Sequence, residues 1–335
     1  MKRKKIVVIG GGTGTYSVLC GLKKYPVDLS AIITMMDSGG SNRVIRDEFG
    51  LLPTSDLRQV MVALASEETD ELLRNMFTYR YNAGVGISGM TFGNLFMAAL
   101  TDILGSQEKA ISETCKLLHV EGNILPVTYE NTHLVARYSN GKQVLGEHNI
   151  DQPCQENEGH KIVEVEVFPP AKANPKALEA IKNSDLIILG PGDLFTSVLS
   201  NIVIDNVSGA IRKSGAKKVF IVNLMTRHGQ TDGYSAKDHL KEIEKYVGDG
   251  VINVCIVNKS NNFPSGVLKR YAEEDAYPVK DDLSGGNGLK IIRGDFISRT
   301  VYEKQKGDQL TRSLIRHDPE KLAKALLSLL YLILA

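Results

Sequence analysis

The chain offers little to a membrane, a nucleic acid or a disulfide framework. Its 40 Lys and Arg are balanced by 39 Asp and Glu, a formal net charge of +1, which disfavours a basic nucleic-acid binder. The cysteines Cys20, Cys115, Cys154 and Cys255 are scattered without a CxxC pair. That excludes a disulfide scaffold and a Cys-rich zinc site and suits a reducing cytosol, so a cytoplasmic protein is expected. No apolar run approaches the roughly 18 residues of a bilayer span. Residues 6–9 stop at three glycines, too soon for an export signal, and residues 325–335 are also short.

Familiar catalytic signatures are missing too. The histidines at 119, 133, 148, 160, 228, 239 and 317 form no HExxH or HxH pattern, so they read as surface or ordinary polar residues. Gly86-Ile87-Ser88-Gly89 is one residue short of a GxSxG elbow, and no GxxxxGK[ST] occurs. A serine hydrolase lacks its anchor and a P-loop NTPase its phosphate cradle.

What is present is the rhythm of an α/β protein. Nearly continuous apolar runs at 5–9, 29–36, 186–189, 218–222 and 251–257 predict strands covered on both faces. Helices are predicted at 14–24, 175–183, 198–213 and 236–247 between them, which implies a mostly parallel sheet in a Rossmann-like three-layer fold. Residues 57–118 read as a helical block broken by the glycine-rich 82–93, and 281–288 as a surface loop. Residues 123–169 alternate, with a turn at Ser139-Asn140-Gly141-Lys142, as an antiparallel β insertion. Asp318-Pro319-Glu320 opens a terminal helix over 318–335 that docks on the core. The whole is expected to form one domain, 1–335.

Three loops could carry chemistry. Gly10, Gly11, Gly12, Thr13 and Gly14 join the first strand to a helix, a place where free amides and the helix dipole attract a diphosphate. The GxGxxG fingerprint is incomplete, since its last position falls on Thr15 or Ser17, and a plain strand-to-helix turn is the other reading. The second strand ends at Asp37, where a Rossmann protein keeps its ribose acid, followed by Ser38, Gly39, Gly40 and Ser41. Asp37 fits a ligand contact or a turn acid equally. Far downstream, Gly190, Pro191, Gly192 and Asp193 precede Thr196 and Ser197; the two hydroxyls suit a phosphate, and capping by Asp193 or Thr196 is the alternative. Asn223, after the strand at 218–222, adds a further polar edge. Arg46 and Arg58 fit phosphate binding or structural ion pairing.

In this order, these segments resemble the YvcK/CofD-like family. The resemblance spans about residues 5–258 and rests on Gly10 to Gly14, Asp37 to Ser41, Arg46-Asp47-Glu48-Phe49-Gly50, Leu52-Pro53 with Asp56-Leu57-Arg58, and Gly93-Asn94-Leu95. It continues through Leu125-Pro126-Val127-Thr128, Gly190-Pro191-Gly192 with Thr196-Ser197, and Asn223-Leu224-Met225-Thr226 with Thr231 to Ser235. It implies a Rossmann-like fold and a nucleotide-diphosphate ligand. The gluconeogenesis-factor branch binds UDP-sugars and is linked to cell shape and envelope synthesis on gluconeogenic carbon; the transferase branch uses a guanosine diphosphate conjugate and magnesium. The stretch 223–235 looks more like the first branch.

The family's Asp-Asp-Gly-Gly is Asp37-Ser38-Gly39-Gly40 here, and its Gly-His-Ser-Leu-Gly-Asn is Gly89-Met90-Thr91-Phe92-Gly93-Asn94. One acid of a magnesium-binding pair and one proton-shuttling histidine are thereby absent. Its Gly-Arg is Arg43-Val44, where Arg43 could restore the cation.

The expected ligand is therefore a UDP-sugar held by a regulatory protein. The two outer glycine loops would cradle the diphosphate, Thr196 and Ser197 would donate hydroxyls, Asp37 would hold a ribose hydroxyl or an ion, and Asn94 and Asn223 would orient base or sugar. The alternative is a CofD-like transferase whose candidate acids are Asp37, also the candidate Mg2+ ligand, and Asp193. A nicotinamide dehydrogenase has only the first βα unit in its favour. A homodimer is expected, because symmetric dimers are the commonest soluble oligomers.

Overall fold

The computed structural model describes residues 3–152, 157–264, 266–286, 288–300 and 314–331; Cys154, Asn287 and the last four residues of the expected terminal helix lie outside them. The strands among the described residues are β1 (Lys4–Gly10), β2 (Val27–Ile33), β3 (Asn123–Pro126), β4 (His133–Tyr138), β5 (Gln143–Leu145), β6 (Ile162–Phe168), β7 (Leu186–Leu189), β8 (Lys217–Ile221), β9 (Val254–Asn258) and β10 (Lys290–Gly294). Seven of them pair in parallel in the order β10-β9-β8-β7-β1-β2-β3. The central strands consist of Ile, Val and Leu because both faces of this sheet are covered: Ile6 to Ile9 and Leu186 to Leu189 are all buried.

From β1 the chain winds outward to β2 and β3, then returns to β7 and winds the other way. Right-handed crossovers in opposite directions place their helices on opposite faces. On one side α1 (Thr13–Leu22) packs against α3 (Ser55–Leu64) and α13 (Pro319–Tyr331); on the other α10 (Val207–Lys213) packs against α8 (Pro175–Lys182) and α11 (Ala236–Val247). α2 (Gly40–Phe49) follows β2, and the helical block expected over 57–118 comprises α3, α4 (Glu71–Thr78), α5 (Phe92–Leu104) and α6 (Gln107–Leu117). Asp70, Thr91 and Ser106 cap the last three through side-chain oxygens, and Phe77 meets the ring edges of Phe92 and Phe96.

The structure shifts some boundaries. The antiparallel sheet, β5-β4-β6, begins at His133 and not at 123, because the short β3 lies parallel beside β2. Its hairpin turns at the expected Gly141, with φ 82°. The helix expected over 198–213 is broken: a π-helical turn, Leu194–Leu199, runs into α9 (Ser200–Ile202), and Asn206, in the left-handed region at φ 69°, precedes α10. Three further elements have weak local signals: α7 (Glu147–Asp151), α12 (Val267–Glu273) and β10.

The terminal helix docks as expected. Asp318 Oδ1 accepts from the amides of Glu320 and Lys321, and Gly21 of α1 lets the Pro319 carbonyl approach so closely that a Cβ there would overlap it. Gly21→Ala should therefore cost about 1–3 kcal/mol, although alanine is the better helix former. A urea midpoint equal to that of the wild type would show that α13 docks independently of this contact.

Candidate functional site

Strand order reverses between β1 and β7, and a doubly wound sheet opens a crevice beyond the carboxyl ends of its strands at such a point. A cavity of about 620 Å³ lies there. Of the expected residues, Gly11, Gly12, Thr13, Gly14, Asp37, Gly39, Pro191, Gly192, Asp193, Thr196, Ser197 and Asn223 line it. The two outer loops touch: a Cβ on Gly14 would overlap the Pro191 carbonyl, and one on Gly11 would stand 2.7 Å from Ser197 Oγ. Gly192 donates its amide to Asn223 Oδ1 at 3.2 Å, so Asn223 ties the third loop to the end of β8.

Other expected residues are near the cavity without lining it. Gly10 and Gly190 are held in the backbone, with the Gly190 amide on the Ile9 carbonyl and the Gly10 carbonyl accepting Asn201 Nδ2 at 3.1 Å. Ser38 faces α7: its amide donates to Glu147 Oε2 at 3.3 Å and its Oγ accepts from the His148 amide at 3.0 Å. Gly40 begins α2 with φ 49°.

Asn94 has a different role from the one expected. It is fully buried, its Nδ2 donates to Ser41 Oγ and Ser55 Oγ, each at 2.9 Å, and its Oδ1 accepts from Arg58 Nε. Its hydrogen-bonding groups join α2, α3 and α5, so none is turned toward a ligand. The arginines are structural as well. Arg58 donates to the Phe77 carbonyl, Arg46 to the Met35 and Thr132 carbonyls, and Arg43 pairs on the surface with Asp47. Asp37 lines the cavity, and it accepts from the Gly39 amide at 2.9 Å and Asn42 Nδ2 at 2.5 Å as a turn acid does. Asp193 makes no side-chain cap to the turn that follows and is part of the cavity wall.

Sequence reasoning missed most of the wall. Asp56 and Gln59 of α3, Glu147, His148 and Asp151 of α7, and Arg227 all line it. Arg227 follows Asn223 at the carboxyl end of β8, so the strand-end rule could have found it. The α7 residues are brought in only by the antiparallel insertion. Arg227 clasps Asp151 in a two-pronged pair, Nε to Oδ1 at 3.1 Å and Nη2 to Oδ2 at 2.6 Å, and Gln230 Nε2 joins at 3.1 Å.

The charges in this wall perturb one another. Burial, then Asp37 and Asp151, push the Glu147 carboxyl well above the usual carboxylate range. Asp193 is also raised, by burial first; Arg227 opposes this and Asp151 adds to it. Burial works against the charge of Arg227, but Asp193 and Asp151 more than offset it. Two of the histidines read as surface or ordinary polar residues, His239 and His317, are buried. His317 lines the cavity, donates to the Val222 carbonyl and is lowered to about 4 by burial.

Among the described residues no three His, Cys, Asp or Glu side chains converge on a metal position. The donors present fit Mg2+ only in its usual mode, through one or two carboxylates and the phosphates of a ligand; Asp37 and Asp193, both in the cavity wall, are the residues that would hold it. No described helix is long and apolar enough to cross a membrane.

A protein-family model described as 2-phospho-L-lactate transferase CofD matches residues 6–297. Among curated proteins, the gluconeogenesis factor of Bacillus subtilis is 36% identical over 332 residues, 98% of this chain and 99% of its own. An Aquifex aeolicus protein, provisionally so named, is 42% identical over 338 residues, 98% of both chains. The crystal structure of a UPF0052 family protein from Bacillus halodurans superposes with a TM-score of 0.86 at 36% identity, covering 98% of this chain and 99% of that one. With that match running from β1 to beyond β10, and both glycine loops of the cavity inside it, the chain belongs to the CofD family.

Proposed function

We propose that this protein is a cytoplasmic regulator of the gluconeogenesis-factor type that binds a nucleoside diphosphate sugar, a UDP-sugar by preference, and serves cell shape and envelope synthesis during growth on gluconeogenic carbon. The observation that carries the reading is the cavity itself. Two glycine loops meet at the β1/β7 switch point, with the start of α1 beside them and Thr196 and Ser197 opposite, an arrangement suited to a diphosphate. The names of the full-length relatives support the gluconeogenesis link.

Binding is preferred to transfer because the two departures that remove an acid and a histidine are absorbed structurally. Met90 is buried with Ile45 and Ala98 in a small apolar cluster, which leaves no proton shuttle at that position. Ser38 is engaged with α7. The transferase reading draws on the family's name and on Asp193, a residue of the cavity wall whose carboxyl is raised from its ordinary value by burial.

A thermal-shift series with UDP-N-acetylglucosamine, UDP-glucose, GDP and NAD, with and without Mg2+, separates the readings. Ligand at about 100 times its dissociation constant adds about 2.7 kcal/mol and raises the melting midpoint by several degrees. The proposal expects that shift with a UDP-sugar and no ligand consumed. A shift with GDP and Mg2+ alone would sink it in favour of transfer.

A further inference from the structure

We infer that the half of the cavity at the carboxyl end of β8 receives the sugar of the nucleoside diphosphate sugar, and that the imidazole of His228, oriented by Asp232, hydrogen-bonds one of its hydroxyls. The inference rests on the nucleotide-sugar reading of the cavity and adds a sugar-recognising residue to it. With the diphosphate on the glycine loops at the β1/β7 switch point, the rest of the ligand has two directions to run. A doubly wound sheet holds the ribose on the β2 side of its first glycine loop, and the wall there is formed by Thr34, Asp37 and Gly39. The wall also continues the other way, past the loop after β7 to the residues that follow β8, Asn223 to His228. The group on the far phosphate, which is the sugar, is then the part that lies there.

His228 is built into that end as a fixed contact. The turn that presents it is pinned: the Arg227 amide donates to Thr231 Oγ1 at 2.8 Å, the Arg227 carbonyl accepts from the Gln230 and Thr231 amides, and Gln230 and Thr231 are buried. Asp232 then holds the ring, with Oδ1 3.2 Å from Nδ1, while its Oδ2 accepts from the Gly229 amide at 2.7 Å, so the carboxylate is itself held in place. A carboxylate beside Nδ1 fixes the proton on that nitrogen. Asp232 is not part of the cavity wall and His228 is. That leaves Nε2, engaged by no hydrogen bond among the described residues, as the nitrogen offered to a ligand.

A hydroxyl is the group that suits it. Nε2 accepts when the ring is neutral and donates when it is charged; a hydroxyl answers both, whereas a phosphate oxygen only accepts. The wall carries charges of both signs, the Arg227 and Arg316 guanidiniums among carboxylates that include Asp151, Asp193 and Glu274, and Arg227 is already clasped by Asp151. A second anion would meet the carboxylates and a cation the guanidiniums, while a neutral, hydroxyl-rich group is held there by hydrogen bonds alone.

The test titrates the full chain by calorimetry with UDP, UDP-glucose and UDP-N-acetylglucosamine, as wild type, His228→Ala, His228→Gln and Asp232→Asn. His228→Ala should weaken the more tightly bound of the two UDP-sugars about five- to tenfold, the worth of one hydrogen bond, and UDP by less than about twofold. His228→Gln, which keeps an acceptor and a donor, should lose less. Asp232→Asn removes the charge that orients the ring, so it should fall between His228→Ala and the wild type for the UDP-sugar and spare UDP, which a general loosening of the turn would not. Melting midpoints confirm that the variants fold. UDP weakened as much as the UDP-sugar would make His228 a phosphate or nucleoside contact, and a UDP-sugar affinity unchanged in His228→Ala would put the sugar elsewhere; either result overturns the inference while the nucleotide reading stands. If neither UDP nor its sugar conjugates bind, the UDP-sugar reading fails and this inference with it.

Discussion

Gly14→Ala is expected to destabilise the protein by about 1–3 kcal/mol and to weaken nucleotide diphosphate binding about 10- to 100-fold. The added Cβ has nowhere to go: it would overlap the carbonyl of Pro191, backbone on the other side of the crevice and unable to swing away as a flexible side chain would. The first and third loops must part, which costs the overpacking energy. Parting also moves the amides around Gly12 and Gly192 out of register, and one hydrogen bond to a charged phosphate is worth about 1.5–3 kcal/mol, hence the loss in affinity. Gly209→Ala is the matched control. Gly209 lies inside α10, a Cβ there meets nothing within 4 Å, and its φ is not in the left-handed region, so that change should stabilise by about 0.4–1 kcal/mol. Urea unfolding and ligand titration of both variants check the pair. If Gly14→Ala behaves like Gly209→Ala, the two loops do not form one site.

The fold was legible where burial is written along the chain. Ile6 to Ile9, Leu186 to Leu189 and the residues around Phe220 are apolar throughout because they lie in a sheet covered on both sides, and the unbroken apolar runs reveal them. The segments that stayed hidden have identities set by partners. β10 (Lys290–Gly294) is an edge strand with little burial of its own and pairs only with β9, while α7 is five residues long. The site divides along the same line. Its glycine loops were visible because close backbone approach demands glycine, as at Gly14 against Pro191. Glu147, Asp151 and Arg227 are ordinary surface-type residues by sequence, and only the folding of the antiparallel insertion over the β1/β7 crevice brings them together. Asn94 failed as a ligand contact for the opposite reason: its surroundings satisfy it completely, and no local pattern shows that a buried asparagine is already paired.

His317 should make the protein acid-sensitive between about pH 6.5 and pH 4. Its ring is buried, donates to the Val222 carbonyl, and takes a proton only at about pH 4 in the folded chain, whereas an unfolded histidine takes one near 6.5. Between these values the unfolded state binds more protons, so stability falls as pH falls, by about 3 kcal/mol across the whole window. His239, lowered by burial in the same direction, adds to the slope. Glu147 and Asp193 act the other way: their raised folded values mean that their contribution is present at acid pH and is lost as pH rises through those values. The wild-type profile therefore mixes opposing slopes, and the diagnostic quantity is the difference between wild type and His317→Gln, in which the carboxylate contributions cancel. Glutamine does not titrate and still carries an N–H for the Val222 carbonyl. Urea unfolding at pH 7.5 and pH 4.5 should show the variant losing less stability than the wild type on acidification, by about 2–3 kcal/mol. Equal losses in the two proteins would mean that the His317 ring is reached by water and protonates in place, and that the wall of the cavity beside Val222 is open where the structure has it closed.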